Sequence, residues 1–231
     1  MSTPGRARHI ERKTRTRQTG KATGGQAGKR FKDSPNAATR KSSDERWNEI
    51  LLVSARMFAE HGFAATALQH IADELDMLKG SLYYYINTKE DLLYEVIRSV
   101  YWEGMANFKQ MSTGPGPAMD RLTAAIKGHV RHLIANITAT TVYLHEFNQL
   151  SEARQEELSS LDYSGWIRDL IKEGQADGSI RADLKPSLVA MAILGATNWV
   201  YRWYRQGRNS PEEIADEFAT IFTSGLATAP E

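Results

Sequence analysis

Hydrogen-bond donors are concentrated between residues 66 and 89, where the chain reads TALQHIADELDMLKGSLYYYINTK. A lysine ammonium donates to guanine O6 and N7, a serine hydroxyl bonds to base edges, and tyrosine hydroxyls bond to phosphate oxygens. The side chains of this kind expected to project outward are Lys79, Ser81, Tyr83, Tyr84 and Tyr85. Their combination predicts contacts with the base edges and phosphates of DNA.

Two short helices joined by a tight turn would position these donors. The first begins at a predicted capping box of Thr66 and Gln69, and the second runs from about Lys79 to Tyr85. The side chains expected to face inward are Leu68, Ile71, Ala72, Leu75, Met77 and Leu82. With the turn at Asp76, this pattern predicts a helix-turn-helix whose second helix enters the major groove. A helix of seven residues is about 10 Å long, enough to reach a few base edges.

Lys89 lies in the first turn of the next helix, which Thr88 and Asp91 are predicted to cap. A cation at this position opposes the usual preference for acidic residues near a helix N-terminus. An external anion such as phosphate would account for the lysine.

Residues 45–104 resemble the DNA-binding domain of TetR-family transcriptional regulators. The resemblance rests on FAEHGF at 58–63, Thr66, Ile71 with Ala72, KGSLY at 79–83, and Lys89 and Glu90 followed by Leu92. It implies that Lys79, Gly80, Ser81, Tyr83 and Tyr85 lie at the operator, and that Thr66 and Lys89 contact phosphate.

Two residues depart from the family pattern. Asp76 stands at the turn position that is often glycine, and Leu78 stands where a serine usually caps the recognition helix. These changes predict a slight shift of the recognition helix and not its loss. The alternative interpretation of the tyrosine run is aromatic packing between domains, and Tyr84 is the tyrosine that we expect to pack.

From Ser42 onward the hydrophobic pattern is helical almost throughout, without β-type alternation of any length. Further capping boxes are predicted at Ser42 with Glu45 and at Ser210 with Glu213. We therefore predict an all-α protein, with an N-terminal three-helix helix-turn-helix domain at 44–104. A C-terminal helical domain for ligand binding and dimerisation is predicted at 105–231, and one of its helices is expected at about 153–176.

The N-terminal segment 1–43 is predicted to be a disordered basic arm. Residues 1–41 hold twelve Lys or Arg against two acidic residues, whereas the rest of the chain holds 17 basic and 26 acidic residues. Such a composition does not bury enough apolar surface to offset the entropy of ordering. The arm either adds phosphate contacts on DNA or only keeps the protein in solution.

The stretch 186–205 (PSLVAMAILGATNWVYRWYR) is too apolar on all sides for a surface helix. One face is expected to pack within its own domain and the other against a partner. Together with a helix at 211–227 it would form a two-fold, four-helix interface. We therefore expect a homodimer, whose two recognition helices read the two half-sites of a palindromic, double-stranded operator.

A ligand pocket is predicted among the aromatic, methionine and polar side chains of the C-terminal half. The candidates are Trp102, Met105, Phe108, His129, His132, Leu133, Tyr143, Phe147, Trp166, Leu170, Asn198 and Trp199. The alternative is that this stripe is packed core. Buried polar groups such as Asn198 need partners, which a bound small molecule would supply. A metal site at His129, His132 and His145 is the less common explanation for such histidines, so no metal or other cofactor is predicted.

The run NWVYRWY at 198–204, which follows GSIR at 178–181, resembles TetR-like regulators of fatty-acid and sterol catabolism. This resemblance implies an acyl-CoA thioester as the effector. Arg168, Lys172 or Arg202 would then neutralise phosphates at the mouth of the pocket.

Several classes of protein are excluded by composition and motifs. The chain has no cysteine, which rules out disulfides and Cys-ligated metal centres. Without an apolar run of about 18 residues or a signal-peptide core, it is expected to be cytoplasmic and not bound to a membrane. No nucleophile elbow, P-loop or dinucleotide fingerprint occurs, so an enzyme is not expected.

The sequence therefore predicts a ligand-responsive transcriptional regulator. The simplest form is a repressor that a small hydrophobic effector releases from its operator. The alternative is an effector-independent, architectural DNA-binding protein with a packed core.

Overall fold

Helices account for the regular secondary structure of the residues that the computed structural model describes, 42–160 and 162–228. Their bounds are α1 Ser43–His61, α2 Leu68–Glu74, α3 Lys79–Leu82, α4 Lys89–Ser112, α5 Ala118–Ala135, α6 Ile137–Glu146, α7 Glu152–Ser159, α8 Tyr163–Ala176, α9 Pro186–Asn198, α10 Val200–Trp203 and α11 Pro211–Leu226. A 3-10 turn follows α6 at Phe147–Gln149, and an isolated β-bridge joins Ile180 to Ala227. The all-α prediction is confirmed.

Three helices begin with the complete capping box that the sequence predicts. In α1, α4 and α11 the side chains of Ser42, Thr88 and Ser210 accept the N–H of the third helical residue, whose carboxylate accepts in return. The predicted arm boundary at residue 43 is therefore too late, because Ser42 caps α1 and Ser43 begins it. The rest of that predicted arm lies outside the described residues.

The capping box predicted at Thr66 is wrong. The N-cap of α2 is Ala67, which offers no side-chain bond. Thr66 Oγ1 instead donates to the carbonyl oxygens of Gly62 (2.8 Å) and Met57 (3.3 Å) at the end of α1. Its side chain therefore ties α2 to α1.

Two predicted helices are interrupted. The stretch 186–205 divides into α9 and α10 at Trp199, and the chain leaves helical geometry at Tyr204. The stretch 153–176 divides into α7 and α8, because the Asp162 carboxylate accepts the N–H of Gly165 at 2.7 Å and begins a new helix.

The apolar side chains form two main clusters, and α4 contributes to both. The N-terminal cluster contains Ile50, Phe58, Ile71, Ala72, Leu82, Leu92, Leu93 and Ile97 from α1–α4, together with Val142 of α6 and Leu158 of α7. The C-terminal cluster contains Phe108, Leu122, Ile126, Ile167, Ile171, Ile193 and Leu226. The predicted boundary at 104 and 105 falls inside α4, and α6 and α7 pack against the helices that precede it.

Polar contacts also join α7 to α4. Arg154 pairs with Glu90 (3.4 Å) and with Asp91 in the first turn of α4, and Tyr94 Oη donates to Glu157 at 2.7 Å. Within 42–160 and 162–228, no helix has both the length and the apolar character to span a membrane.

Candidate nucleic-acid interface and effector cavity

Helices α2 and α3 form the predicted helix-turn-helix. The side chains of Ile71, Ala72 and Leu82 are fully buried, so the two helices are anchored on the N-terminal cluster. Asp76 adopts φ +50°, in the left-handed region that favours glycine, and it is the one described residue other than glycine to do so. The N–H of Met77 closes the turn on the carbonyl of Ala72 at 2.9 Å.

The outer face of α3 carries most of the predicted DNA contacts. Lys79, Gly80, Ser81, Tyr83 and Tyr84 are exposed, and the Tyr84 side chain is 82% exposed. A Cβ atom on Gly80 would have no neighbour within 4 Å, so packing within the chain does not require a glycine there. All five residues are exposed, in α3 or directly after it, and their contacts with DNA stay a prediction.

Tyr85, and not Tyr84, is the tyrosine that packs. Its ring stacks on Trp47 of α1 with 5.9 Å between ring centroids and 9° between planes. Tyr84 touches only the edge of Tyr85, at 5.1 Å between centroids. The expectation of a packed Tyr84 is therefore wrong. Tyr85 positions α3, and its contact with DNA stays a prediction.

Lys89 and Thr66 do not fit the phosphate contacts that the resemblance implied. The three ammonium hydrogens of Lys89 are directed at the carbonyl oxygens of Phe63 (2.8 Å), Thr66 (2.9 Å) and Ala64 (3.4 Å). The same ammonium lies 4.3 Å from the centroid of the Phe63 ring. The Thr66 side chain is 1% exposed and bonded to backbone. Carbonyl oxygens, and not an external anion, account for a lysine at the start of α4.

A cavity of about 110 Å³ lies between α4, α5, α6, α8 and α9. It is lined by Val100, Tyr101, Gly104, His129, His132, Leu133, Thr140, Tyr143, Tyr163, Leu194 and Asn198. Five of these were predicted from the sequence: His129, His132, Leu133, Tyr143 and Asn198. This volume accommodates several water molecules or a short acyl chain.

A chain of hydrogen bonds crosses one wall of the cavity. The Tyr163 hydroxyl donates to Nδ1 of His129 at 2.5 Å, and Nε2 of His129 donates to Oδ1 of Asn198 at 3.1 Å. Burial lowers the pKa of His129 to about 4, so the imidazole is neutral at pH 7. Burial also raises the pKa of Tyr163 well above its usual value.

His132 is hydrogen-bonded through both of its ring nitrogens. Its Nε2 donates to the carbonyl oxygen of Val100 at 2.8 Å, and its Nδ1 accepts from the Asn136 amide at 3.2 Å. The lining includes no Lys, Arg, Asp or Glu, and the cavity is therefore suited to an uncharged group.

The other seven predicted pocket residues lie elsewhere. Trp102 and Trp199 are exposed, whereas Met105 and Phe108 are buried in the core. Phe147 packs against Tyr143 from the side of the N-terminal cluster. Trp166 and Leu170 line a separate groove beside Lys109, Arg121 and Glu173.

Two of the three cations predicted at the pocket mouth form ion pairs within the chain. Arg168 pairs with Asp162 at 3.1 Å and Lys172 pairs with Asp169 at 2.9 Å. Arg202 is exposed on α10. Of the three cations, Arg202 alone has no carboxylate partner among the described residues.

Sequence reasoning missed six lining residues, of which Tyr163 and Gly104 are the most informative. Tyr163 begins α8, and its position depends on the cap at Asp162. Gly104 lies in the middle of α4, where a Cβ would be 3.0 Å from Cδ2 of His132. A glycine inside a helical pattern indicates such a close approach, and this signal was present in the sequence.

The alternative of a metal site at His129, His132 and His145 is not supported in the part of the chain that the structure describes. There, no group of three or more His, Asp or Glu side chains is arranged to hold an ion. His145, the third candidate, hydrogen-bonds with its Nε2 to the Tyr201 hydroxyl at 2.9 Å.

Helix α6 connects the cavity to the helix-turn-helix. Thr140 and Tyr143 line the cavity, and one turn later the Glu146 carboxylate accepts the N–H of Phe63 at 3.1 Å. Phe63 belongs to the turn that leads into α2 and that Lys89 holds from the other side. One side chain thus joins the cavity helix to the start of the helix-turn-helix.

Two family profiles match the chain. Residues 50–96 match the family described as bacterial regulatory proteins, tetR family, and residues 115–226 match the tetracyclin repressor-like C-terminal domain. The HTH-type transcriptional repressor KstR2 of Mycolicibacterium smegmatis is 30% identical over 187 residues, which cover 78% of this chain and 90% of that relative. The chain belongs to the TetR family.

Solved structures of TetR-family proteins share the fold. KstR2 of Mycobacterium tuberculosis, described as a ketosteroid transcriptional regulator, has a TM-score of 0.76 at 25% identity and covers 82% of this chain and 98% of its own. AibR in complex with isovaleryl coenzyme A and operator DNA has a TM-score of 0.69 at 25% identity, covering 77% and 97%. As a TetR-family member, the chain is a DNA-binding transcriptional regulator, which confirms the resemblance found in the sequence.

Proposed function

We propose that this TetR-family protein is a ligand-responsive repressor that binds a palindromic operator as a homodimer. The observation that carries the proposal is the position of the cavity, whose helix α6 bonds through Glu146 to the turn before the helix-turn-helix. Residues 44–104 would bind DNA through the exposed face of α3, and residues 105–231 would bind the effector and the second protomer.

The dimer face is proposed on α9 and α11. Leu188 and Met191 on α9, and Trp199 directly after it, are exposed, as is Ile221 on α11. A Cβ on Gly195 would have no neighbour within 4 Å, so this part of α9 is open to a partner. Four such helices, two from each protomer, would bury these side chains around a two-fold axis.

The effector is proposed to be an acyl-CoA thioester with a short acyl group. The cavity is small, is lined largely by apolar and aromatic groups, and has no Lys, Arg, Asp or Glu in its lining, which suits an acyl chain better than a carboxylate. AibR, which shares the fold, binds isovaleryl coenzyme A. The coenzyme A portion would extend outside the cavity, where Arg202 is available to its phosphates.

Release from DNA would follow from a shift of α6. An acyl group against Thr140 and Tyr143 would displace this helix and the Glu146 carboxylate that holds the Phe63 N–H. The effector must bind the released conformation more tightly, and each tenfold loss of operator affinity requires about 1.4 kcal/mol of that difference.

The test begins with selection of an operator from random duplexes by the full chain. The selected duplex is then titrated with and without acyl-CoAs of increasing chain length. Release by short acyl-CoAs, without release by coenzyme A or the free acids, supports the proposal. Operator binding that no acyl-CoA weakens would favour the effector-independent DNA-binding protein instead.

The dimer is tested with Met191→Glu, which places a charge in the proposed face. The matched control is Leu52→Glu, since Leu52 is similarly exposed (72% against 65%) but lies on α1. Sedimentation should show a monomer for the first variant and the wild-type state for the second.

The basic arm is tested by deleting residues 1–41, which keeps the Ser42 cap of α1. If the arm contacts phosphates, the deletion weakens operator binding and lowers its salt dependence. If the arm only keeps the protein in solution, both stay unchanged.

A further inference from the structure

Leu78 is a large apolar side chain at the start of the recognition helix that nothing in the described chain covers. It is 80% exposed, although it directly precedes Lys79 and lies beside Ser81. The ten large exposed hydrophobic side chains of the described residues are unevenly distributed. Five lie on α9–α11, at the proposed dimer face, and three lie between residues 78 and 84.

Leu78 does not serve the fold at its position. It is the N-cap of α3 and offers no side-chain hydrogen bond to the helix, whereas serine would offer one. Its side chain also lies outside the N-terminal cluster, whereas Leu75 and Met77 of the same turn pack within it or against it. A residue that neither caps nor packs, on the face proposed to meet DNA, indicates a contact made only in the complex.

We infer that Leu78 contacts the C5-methyl group of a thymine in the major groove and thereby specifies one position in each operator half-site. The first residues of a recognition helix meet base edges, and the thymine methyl is the one apolar group displayed there. A leucine can neither donate to a base nor bond to phosphate, which leaves that methyl as its complement. Gly80, with open space where a Cβ would be, lets the backbone of α3 come close to the groove.

This inference rests on the proposed binding of an operator. It adds that part of the sequence preference comes from an apolar contact, in addition to the donors on Lys79 and Ser81. It also gives a function to the position at which the sequence departs from the family's usual serine.

The experiment replaces each thymine of the selected operator in turn by deoxyuridine, which removes one methyl group and keeps the base pair. The full-length wild type should bind one such duplex about fourfold more weakly for each half-site changed, as burial of a single methyl group implies. Leu78→Ala should bind the methylated and unmethylated duplexes equally. Because Leu78 is exposed, this variant should unfold at the wild-type temperature.

The matched control is Leu52→Ala, a truncation of a leucine on α1 that is 72% exposed against 80% for Leu78. It should keep the wild-type sensitivity to the same thymine. A wild type that selects an operator but is indifferent to every thymine methyl would overturn the inference alone, as would full sensitivity in Leu78→Ala. A wild type that selects no duplex would overturn the proposed function, and the inference with it.

Discussion

His129 should make the stability of this protein fall as the pH drops from 7 to 5. The folded chain holds the imidazole neutral between Tyr163 and Asn198, with its pKa lowered from 6.5 to about 4. The unfolded chain binds a proton near the ordinary pKa of 6.5. Between these two values the unfolded state therefore carries the extra proton, and acid favours unfolding.

The size of the effect follows from the two pKa values. At pH 7 the proton linkage of His129 costs only a few tenths of a kcal/mol, whereas at pH 5 it costs about 2 kcal/mol. The loss is complete, at about 3 kcal/mol, once the pH falls below the pKa of the folded state. These losses are a substantial fraction of the free energy of unfolding of a typical domain, which is about 5–15 kcal/mol.

The assay is urea denaturation of wild type and His129→Gln at pH 7 and pH 5, at one protein concentration because dimers unfold in a concentration-dependent way. The carboxylates and the remaining histidines are present in both proteins, so most of their contribution cancels in the difference. The wild type should lose about 2 kcal/mol more than the variant. His145→Gln removes an exposed imidazole and should follow the wild type. Parallel losses in wild type and His129→Gln would refute the neutral, buried imidazole.

Three other substitutions test particular contacts. Gly174→Ala should lower the free energy of unfolding by about 2 kcal/mol, because the new Cβ would lie 2.5 Å from Cδ1 of the buried Ile180. An unchanged midpoint of urea denaturation would contradict this close packing. Lys89→Met should lower the free energy of unfolding by about 1–3 kcal/mol, because three carbonyl oxygens lose their donor, yet leave the salt dependence of operator binding unchanged. If the slope of log affinity against log salt concentration instead fell by about one, Lys89 would contact a phosphate. Glu146→Ala should reduce the effector-induced change in operator affinity roughly fivefold, because the Phe63 N–H loses its charged acceptor. Glu146→Gln keeps an oxygen acceptor and should retain most of that change, and equal responses of the two variants would count against the link.

Features set by neighbouring residues were predictable from the sequence. The capping boxes of α1, α4 and α11 need only a side chain and a carboxylate three residues apart, and all three formed. The buried face of α2 follows from the spacing of Ile71 and Ala72. Local rules also favour a left-handed turn at Asp76, because aspartate tolerates that conformation better than most residues.

Features that depend on distant partners were not predictable. The carbonyl oxygens that hold Lys89 lie 23 to 26 residues earlier in the chain, and no periodicity shows where they point. Tyr84 and Tyr85 differ by about 100° around a helix, so their roles depend on the phase that the preceding turn sets. The rotational phase of α4 was likewise unknown from the sequence. Trp102 was therefore predicted to line the cavity, whereas its neighbour Tyr101 lines it and Trp102 is exposed.

The N-terminal helices of this regulator depend on α6 and α7 and cannot be transferred to another protein by themselves. A chimera cut at residue 104 would discard α6 and α7, and with them Leu158 from the N-terminal cluster and the carboxylate of Glu146. It would also leave Glu90 and Asp91 without Arg154. Attempts to change the proposed operator specificity should keep the chain intact and change only the exposed residues of α3, whose side chains are not part of the core.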